Sequence, residues 1–415
     1  MMMTNQEKLN YIYGNNEPCP VYQAQKPLTP WQDTLFKVVV RMLFPPILVW
    51  DLISLGLSKL FGRKIGRMIL WAQRSPVKDK ILDKVDLSGI HVEHFYVRTW
   101  DGAMLDGIEV KDTSQDNRDN PDADKVLVIL GGRKARYENL LPEIIRDARM
   151  LGCTVVGFNL RGVGKSTGIP LSRDDLVTDG FSQVDRLLKK GVSSENIMLK
   201  GHSLGGALTA RIGRYFDRIK MPIYILIGRS FSNITDYLIA HTPGLHVTWK
   251  RRLLEWIAKP FLKLGLIGTN WEMDTLDDFI KIDEDHKEYF AARSRDKVML
   301  PYACLYKALK PHRKKEKQKI DSEIERLERE IIESASPETE AQNRIKIASL
   351  KERRNHFKNR KMDADQNITN THDIPLDELI NRHGHTAESF FHGFFRRAGR
   401  AKPDVQIRAR MHSPG

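Results

Sequence analysis

Residues 197–216 read IMLKGHSLGGALTARIGRYF, and this stretch decides the fold. The apolar run NIMLK at 196–200 has the length and content of a strand, and ALTARIGRYF after Gly206 has those of a helix. Gly201-His202-Ser203-Leu204-Gly205-Gly206 must therefore turn the chain sharply from strand to helix, the context of a G-x-S-x-G nucleophile elbow. Gly201 and Gly205 admit neighbouring backbone where side chains would collide, and Ser203 is held up at the end of the strand. The helix that follows presents amide N–H groups at its start, so that of Leu204 is placed to receive a developing oxyanion. A merely structural tight turn is the other reading of the same letters.

Outward from the elbow, short apolar runs alternate with helix-length amphipathic segments from about residue 91, which predicts βα repeats and a mostly parallel sheet. HVEHFYVRT and MLDGIEV flank Trp100-Asp101-Gly102, a hairpin turn. VLVIL at 126–130 reads as a central strand, with further strands at CTVVGF (153–158) and IYILIG (223–228). The fold class is therefore α/β, doubly wound.

A serine hydroxyl is a weak nucleophile until a histidine takes its proton and a carboxylate orients that histidine. On this fold the chain order is serine, acid, histidine. Asp296, after an apolar run and before Pro301, is the leading acid, its alternative role being a surface ion pair with Arg293 or Arg295. Asp274, Asp277, Asp278 and Asp283 fall in a stretch read as more solvated. His385, in a loop ahead of an apolar helix, is preferred as base over His383, and His392 reads as a helix-surface residue. His202 adjoins the nucleophile, but its side chain must diverge from Ser203 in such a turn. The second oxyanion donor is expected in LGGRKARYEN after VLVIL, from Gly132 or Arg133, with the Arg133 amide favoured. Gly164-Lys165-Ser166 imitates the end of a P-loop, yet that motif needs glycine where Asn159 stands, so Gly162 and Gly164 are read as turn residues shaping the mouth of the site.

The chain has 415 residues, 41% hydrophobic and 29% charged, which suits one large folded domain with extensions and not a disordered chain. A net charge of +14 favours acidic surfaces, nucleic acid or an anionic membrane, but no nucleic-acid module is recognised and none is expected as a partner. Cys19, Cys153 and Cys304 lie far apart, so neither a disulfide framework nor a zinc site is indicated, and no metal or organic cofactor is expected. Cys153 and Cys304 read as buried. The polar N-terminus lacks the apolar core of a Sec signal, which predicts a cytoplasmic or peripheral-membrane protein.

Residues 35–61 are the most apolar long stretch, broken by Lys37, Arg41, Asp51 and Pro45-Pro46. They read either as an interfacial helical hairpin, with Arg63, Lys64 and Arg67 against anionic headgroups, or as a helical pair packed on the domain. In 310–361, Ile320, Ile324, Leu327 and Ile331 line one helical stripe and Ile347, Leu350 and Phe357 a second. That predicts a charged helical hairpin whose stripes zip together, or a protein-partner arm. The expected division is a helical extension over 1–90, a core over 91–309, the hairpin over 310–361, the end of the core with the histidine loop over 362–397 and a basic tail over 398–415.

VLVILGG, FNLRGVGKSTG, IMLKGHSLGG, ARSRDKVMLP and HGHTAESFFHGFF, in that order, resemble the α/β-hydrolase superfamily over roughly residues 91–310 and 370–397. Tyr137-Glu138 together with NLRGVGKSTG and GHSLGG also resembles the chlamydial CHLPS-type hydrolase-like family and the Legionella type IV-secreted lipase-like effectors. The resemblance implies Ser203, Asp296 and His385 as triad, esterase or lipase chemistry without a cofactor, and a host-cell location if the chain is such an effector. Arg133, Lys134 and Arg136 make the oxyanion turn basic, which favours acyl substrates with an acidic head. The alternative is a binding or scaffold protein on a hydrolase fold, acting through the helical hairpin without turnover.

Overall fold

A computed structural model describes residues 3–14, 19–27, 31–43, 45–70, 79–113, 124–240, 248–290, 303–333 and 337–359. Three helices and one short strand come first: α1 (Asn5–Tyr13), β1 (Val21–Gln23), α2 (Trp31–Leu43) and α3 (Pro45–Leu70). After α4 (Asp79–Leu82), the hairpin β2 (Ile90–Arg98) and β3 (Met104–Asp112) turns at Gly102, whose φ of +96° is a conformation that favours glycine. The βα series follows as β4 (Val126–Leu130), α5 (Tyr137–Leu151), β5 (Thr154–Phe158), α6 (Arg173–Lys189), β6 (Ile197–His202), α7 (Leu204–Arg218) and β7 (Tyr224–Gly228). Then come α8 (Ile234–Ala240), α9 (Thr248–Gly268), α10 (Thr275–Ile280), β8 (Lys287–Phe290), α11 (Leu305–Glu333) and α12 (Pro337–Asn359).

Among the described residues, eight strands form one sheet in the order β1-β2-β3-β5-β4-β6-β7-β8. Only β3 runs against its neighbours; β1 with β2, and β5, β4, β6, β7 and β8 among themselves, pair in parallel. Helices cover both faces, which is why β4 and β7 are buried at every position and read as unbroken apolar runs. This is the α/β-hydrolase arrangement. One core lies between the sheet and α6 and α7, around Val128, Leu199, Ile212 and Ile225; the other lies under α5 and α1, around Leu127, Ile144, Val155 and Met198. The 2.0-residue and 3.6-residue periods of the sequence are thus the two sides of the same burial.

The stretch 35–61 resolves into α2 and α3, tied by an Arg41–Asp51 ion pair of 2.6 Å. The end of α3 is packed on the domain, with Ile69 and Leu70 buried and Gly66 against the backbone of Pro170. Its outer face leaves Leu52 and Leu60 70% exposed each. Among the described residues no helix is long and apolar enough to cross a membrane. The charged segment is a helical hairpin with its own small core of Ile320, Ile324, Leu327 and Ile347, joined by Ile331 and Leu350. It begins earlier than the expected 310: α11 starts at Leu305, and Leu305 and Leu309 are buried in the main core, so the hairpin grows out of the domain.

Candidate active site

Ser203 stands between β6 and α7 with φ +54° and ψ −114°, a left-handed conformation costly for a residue with a Cβ, by about 1–3 kcal/mol. Three hydrogen bonds impose it: Ser203 N–H donates to Gly228 O (3.0 Å), and Ser203 O accepts from Gly206 N–H (3.0 Å) and from the Ser230 hydroxyl (2.8 Å). The glycines of the motif are steric necessities. A Cβ on Gly205 would stand 2.6 Å from Gly131 O and closer still to Leu130 O; Gly201 and Gly206 face Thr209 and Ile227 with equally little room. The sharp strand-to-helix turn at Ser203 is therefore present. Beneath it, buried Lys200 pairs with Asp147 (2.6 Å) and Glu143 (2.9 Å), fastening β6 to α5.

The turn after β4 comes close to Ser203. A Cβ on Gly132 would lie 3.2 Å from Ser203 Cβ and 3.0 Å from His202 Nδ1, so the Gly131-Gly132 backbone passes directly over the elbow. Ala135 N–H closes that turn on Gly132 O (3.0 Å), and Lys134 N–H and the Arg133 guanidinium donate to Leu70 O (3.2 Å) and Met68 O (3.0 Å). These are the last carbonyls of α3, which a cation suits. The basic turn is thus tied into the scaffold. Arg136 is spent on Glu138 (2.9 Å), whose carboxylate also accepts from Asn159 Nδ2 (3.0 Å) and the Tyr13 hydroxyl (3.3 Å). The Tyr137-Glu138 pair belongs to this buried network and not to the serine.

Ser203 and Leu204 lie at the base of an apolar cavity of about 130 Å³, walled by Met68 and Ile69 of α3, Arg133, Phe231, and Ile234, Tyr237 and Leu238 of α8. A dry cavity of roughly 150 Å³ holds one benzene-sized molecule, so this space suits a short apolar chain. Ser203 itself is 5% exposed and lines that space.

Asp296, His383, His385 and His392 lie outside the described residues. Asp296 follows shortly after the C-terminal end of β8, a strand parallel to β6 with only β7 between them. Several readings are corrected. Gly162 and Gly164 are turn residues with φ of +78° and +55°, but they close on Gly168 O and Asn159 and do not wall the serine cavity. Cys153 is fully buried, whereas Cys304 is only half-buried. Asp278 is buried and not solvated: Arg211 (2.9 Å) and Arg214 (2.6 Å) both donate to it. Met68, Ile69, Phe231, Tyr237 and the clamp of Ser230 on the elbow escaped the sequence. Only the polar, small-residue run GRSFSN directly after a strand signalled that something other than a plain loop follows β7.

No family model matches the chain. Among curated proteins it is similar to an uncharacterized protein of Caenorhabditis elegans, 23% identical over 156 residues that make up 38% of this chain and 30% of that one. It is also similar to the multifunctional-autoprocessing repeats-in-toxin of Vibrio cholerae, 29% identical over 119 residues, 28% of this chain and 3% of the toxin. An uncharacterized protein of Acanthamoeba polyphaga mimivirus is 26% identical over 157 residues, 35% of this chain and 49% of that one. The chain thus spans less than half the length of each of these relatives. Among solved structures, an alpha-beta hydrolase from Vibrio vulnificus aligns over 69% of this chain and 83% of its own, with TM-score 0.43 and 19% identity. An acetyl xylan esterase from a Paenibacillus species aligns over 63% and 83%, with TM-score 0.40 and 19% identity. The curated relatives named are neither chlamydial nor from Legionella.

Proposed function

We propose that the chain is a serine hydrolase that cleaves carboxylic esters of acyl lipids at a membrane surface. Ser203 attacks the carbonyl, His385 takes its proton and returns it to the leaving alcohol, and Asp296 orients the imidazole. The Leu204 and Arg133 amides hold the oxyanion, with Gly132 giving the backbone its close approach. The carrying observation is Ser203, held at positive φ on a strand end and opening into an apolar cavity. Strain at a functional hydroxyl persists only where the surroundings over-determine it, as the three hydrogen bonds do here. The decisive test is labelling by a fluorophosphonate probe: the wild type is expected to react and Ser203→Ala not, and equal labelling of both overturns the proposal.

The membrane setting is supported by two neighbouring helices. α9 leaves Trp256 79% and Phe261 73% exposed, and it packs on α3 through the Ser54 hydroxyl, which donates to Gly268 O (2.7 Å). The exposed apolar face of α3 ends at Met68, in the cavity wall, and Arg63, Lys64 and Arg67 flank it. An apolar face rimmed by cations suits an anionic leaflet. The 119-residue likeness to part of a Vibrio cholerae toxin is in keeping with an effector role. Trp256→Glu with Leu52→Glu is expected to abolish flotation with anionic vesicles while leaving labelling by a small soluble probe intact; unchanged flotation refutes the membrane assignment.

The scaffold reading keeps one observation: Ile332 and Ile345 of the hairpin are 83% and 72% exposed. Under that reading, deleting 310–361 abolishes partner recovery while Ser203→Ala leaves the cellular phenotype unchanged.

A further inference from the structure

Across the sheet from Ser203, with β3, β5 and β4 between β2 and β6, three side chains form a second relay. Cys19 Sγ lies 3.3 Å from His94 Nδ1, and His94 Nε2 lies 2.6 Å from Asp106 Oδ1. Strand pairing makes this possible: Tyr96 stands opposite Asp106 and His94 opposite Ile108, so His94 and Asp106 share one face of the β2–β3 hairpin, two residues apart. Tyr96 N–H donates to Pro20 O (2.9 Å), which holds Cys19 alongside β2.

The chemistry of the arrangement is specific. Asp106 is fully buried and its other oxygen accepts from Asn159 Nδ2 (3.1 Å), so its carboxylate is fixed where it accepts from His94 Nε2–H. That tautomer leaves the Nδ1 lone pair toward the sulfur. The imidazole is gripped edge-on by Tyr13 and Tyr96, with ring centroids 5.4 Å and 5.1 Å away. The thiol has a second acceptor, His94 O at 3.1 Å, but only the ring nitrogen can keep the proton once it leaves. Cys19 is half-buried and accessible, unlike Cys153.

We propose that Cys19 is a second nucleophile of this protein, activated by His94 and Asp106, and that it accepts an acyl group from an acyl thioester. Burial first, then Asp106 and Glu93, push the thiol up, and Lys165, whose ammonium sits over the Tyr13 ring, only partly opposes them. The sulfur therefore depends on a neighbouring base to become a nucleophile, and His94 Nδ1 at 3.3 Å is that base. A carbonyl electrophile suits a base that both takes and returns a proton. Sγ bonds to the acyl carbon as its proton passes to Nδ1; the carbon–sulfur bond of the donor then breaks, and the proton goes to the departing thiolate. One thioester is consumed and one is formed, with no oxidant required. Lys165 comes from the run that imitates a P-loop, and its place over Tyr13 assigns that lysine to this site.

The test uses full-length Ser203→Ala protein, so that the first nucleophile cannot take the acyl group. It is incubated at neutral pH with the butyryl thioester of a small thiol and read by peptide mass. The butyryl mass is expected on the Cys19 peptide, forming at least tenfold faster than on a free peptide of residues 16–22 and at least tenfold slower in His94→Gln. Acylation no faster than in the free peptide overturns the proposal. Should His94→Gln not fold, the pH profile of the parent protein decides: a rate that levels off across neutral pH supports a histidine base, and one that climbs continuously to the pH of ordinary thiol ionisation refutes it.

Discussion

Gly205→Ala tests how the elbow is built. Gly205 lies in the first turn of α7, where alanine is otherwise the better helix former by about 1 kcal/mol, so any loss must be steric. The added Cβ would meet Gly131 O at 2.6 Å and Leu130 O more closely, against about 3.3 Å for a relaxed carbon–oxygen contact. Both obstacles are backbone, and neither can rotate away. Relief requires α7 and the end of β4 to part by something near 1 Å, an overpacking cost of roughly 1–3 kcal/mol, and more where the wall is rigid. Because both obstacles are backbone the cost falls at the upper end, about 3 kcal/mol. After the helix-propensity gain of about 1 kcal/mol is subtracted, a net loss of about 2 kcal/mol is expected, which for a domain of this size lowers Tm by roughly 4–8 °C. The same movement drags the Gly131-Gly132 turn from Ser203, and a misplacement of about 1 Å costs on the order of 100-fold in reactivity. Thermal melts and fluorophosphonate labelling rates on one preparation measure both. An unchanged Tm with labelling within threefold of the wild type would refute the steric account.

Gly56 in α3 and Gly265 in α9 supply the opposite case: a Cβ at either meets nothing within 4 Å, so Gly56→Ala and Gly265→Ala should each raise stability by about 0.5–1 kcal/mol in denaturant titrations. Glu109 is a built-in acid-sensitive point. Burial acts to raise its pKa, but Arg186 (2.6 Å) and Lys190 (2.9 Å) outweigh burial and hold the carboxyl below the usual carboxylate range. A lowered native pKa means that its contribution is complete above the ordinary glutamate pKa and is lost as pH falls through the native value. Glu109→Gln should therefore cost about 3 kcal/mol at pH 7, because Arg186 is left buried without its carboxylate, and less at an acid pH below the native value. Equal Tm differences at the two pH values would contradict this.

Local sterics and burial period are short-range properties, and they made much of the molecule legible from the letters alone. VLVIL had to be a strand covered on both faces, and Gly201, Gly205 and Gly206 had to bracket a turn too tight for side chains. Ile320, Ile324 and Leu327 form a stripe that needs an apolar cover, and Ile347 supplies it. What escaped the sequence is what depends on elements distant in the chain. Nothing in GRKIGRMIL says that Met68 and Ile69 wall the cavity over a serine far along the chain, because that contact is decided by where α3 ends against the β4–α5 turn. The basic residues Arg133 and Arg136 read as a field for an acidic substrate, until packing gave them Met68 O and Glu138 as partners. Cys19, His94 and Asp106 carry no motif at all; a parallel edge strand and a hairpin register bring them together. Sequence determines which conformations each segment can hold, whereas the neighbours of a side chain follow only from the packing of the whole sheet.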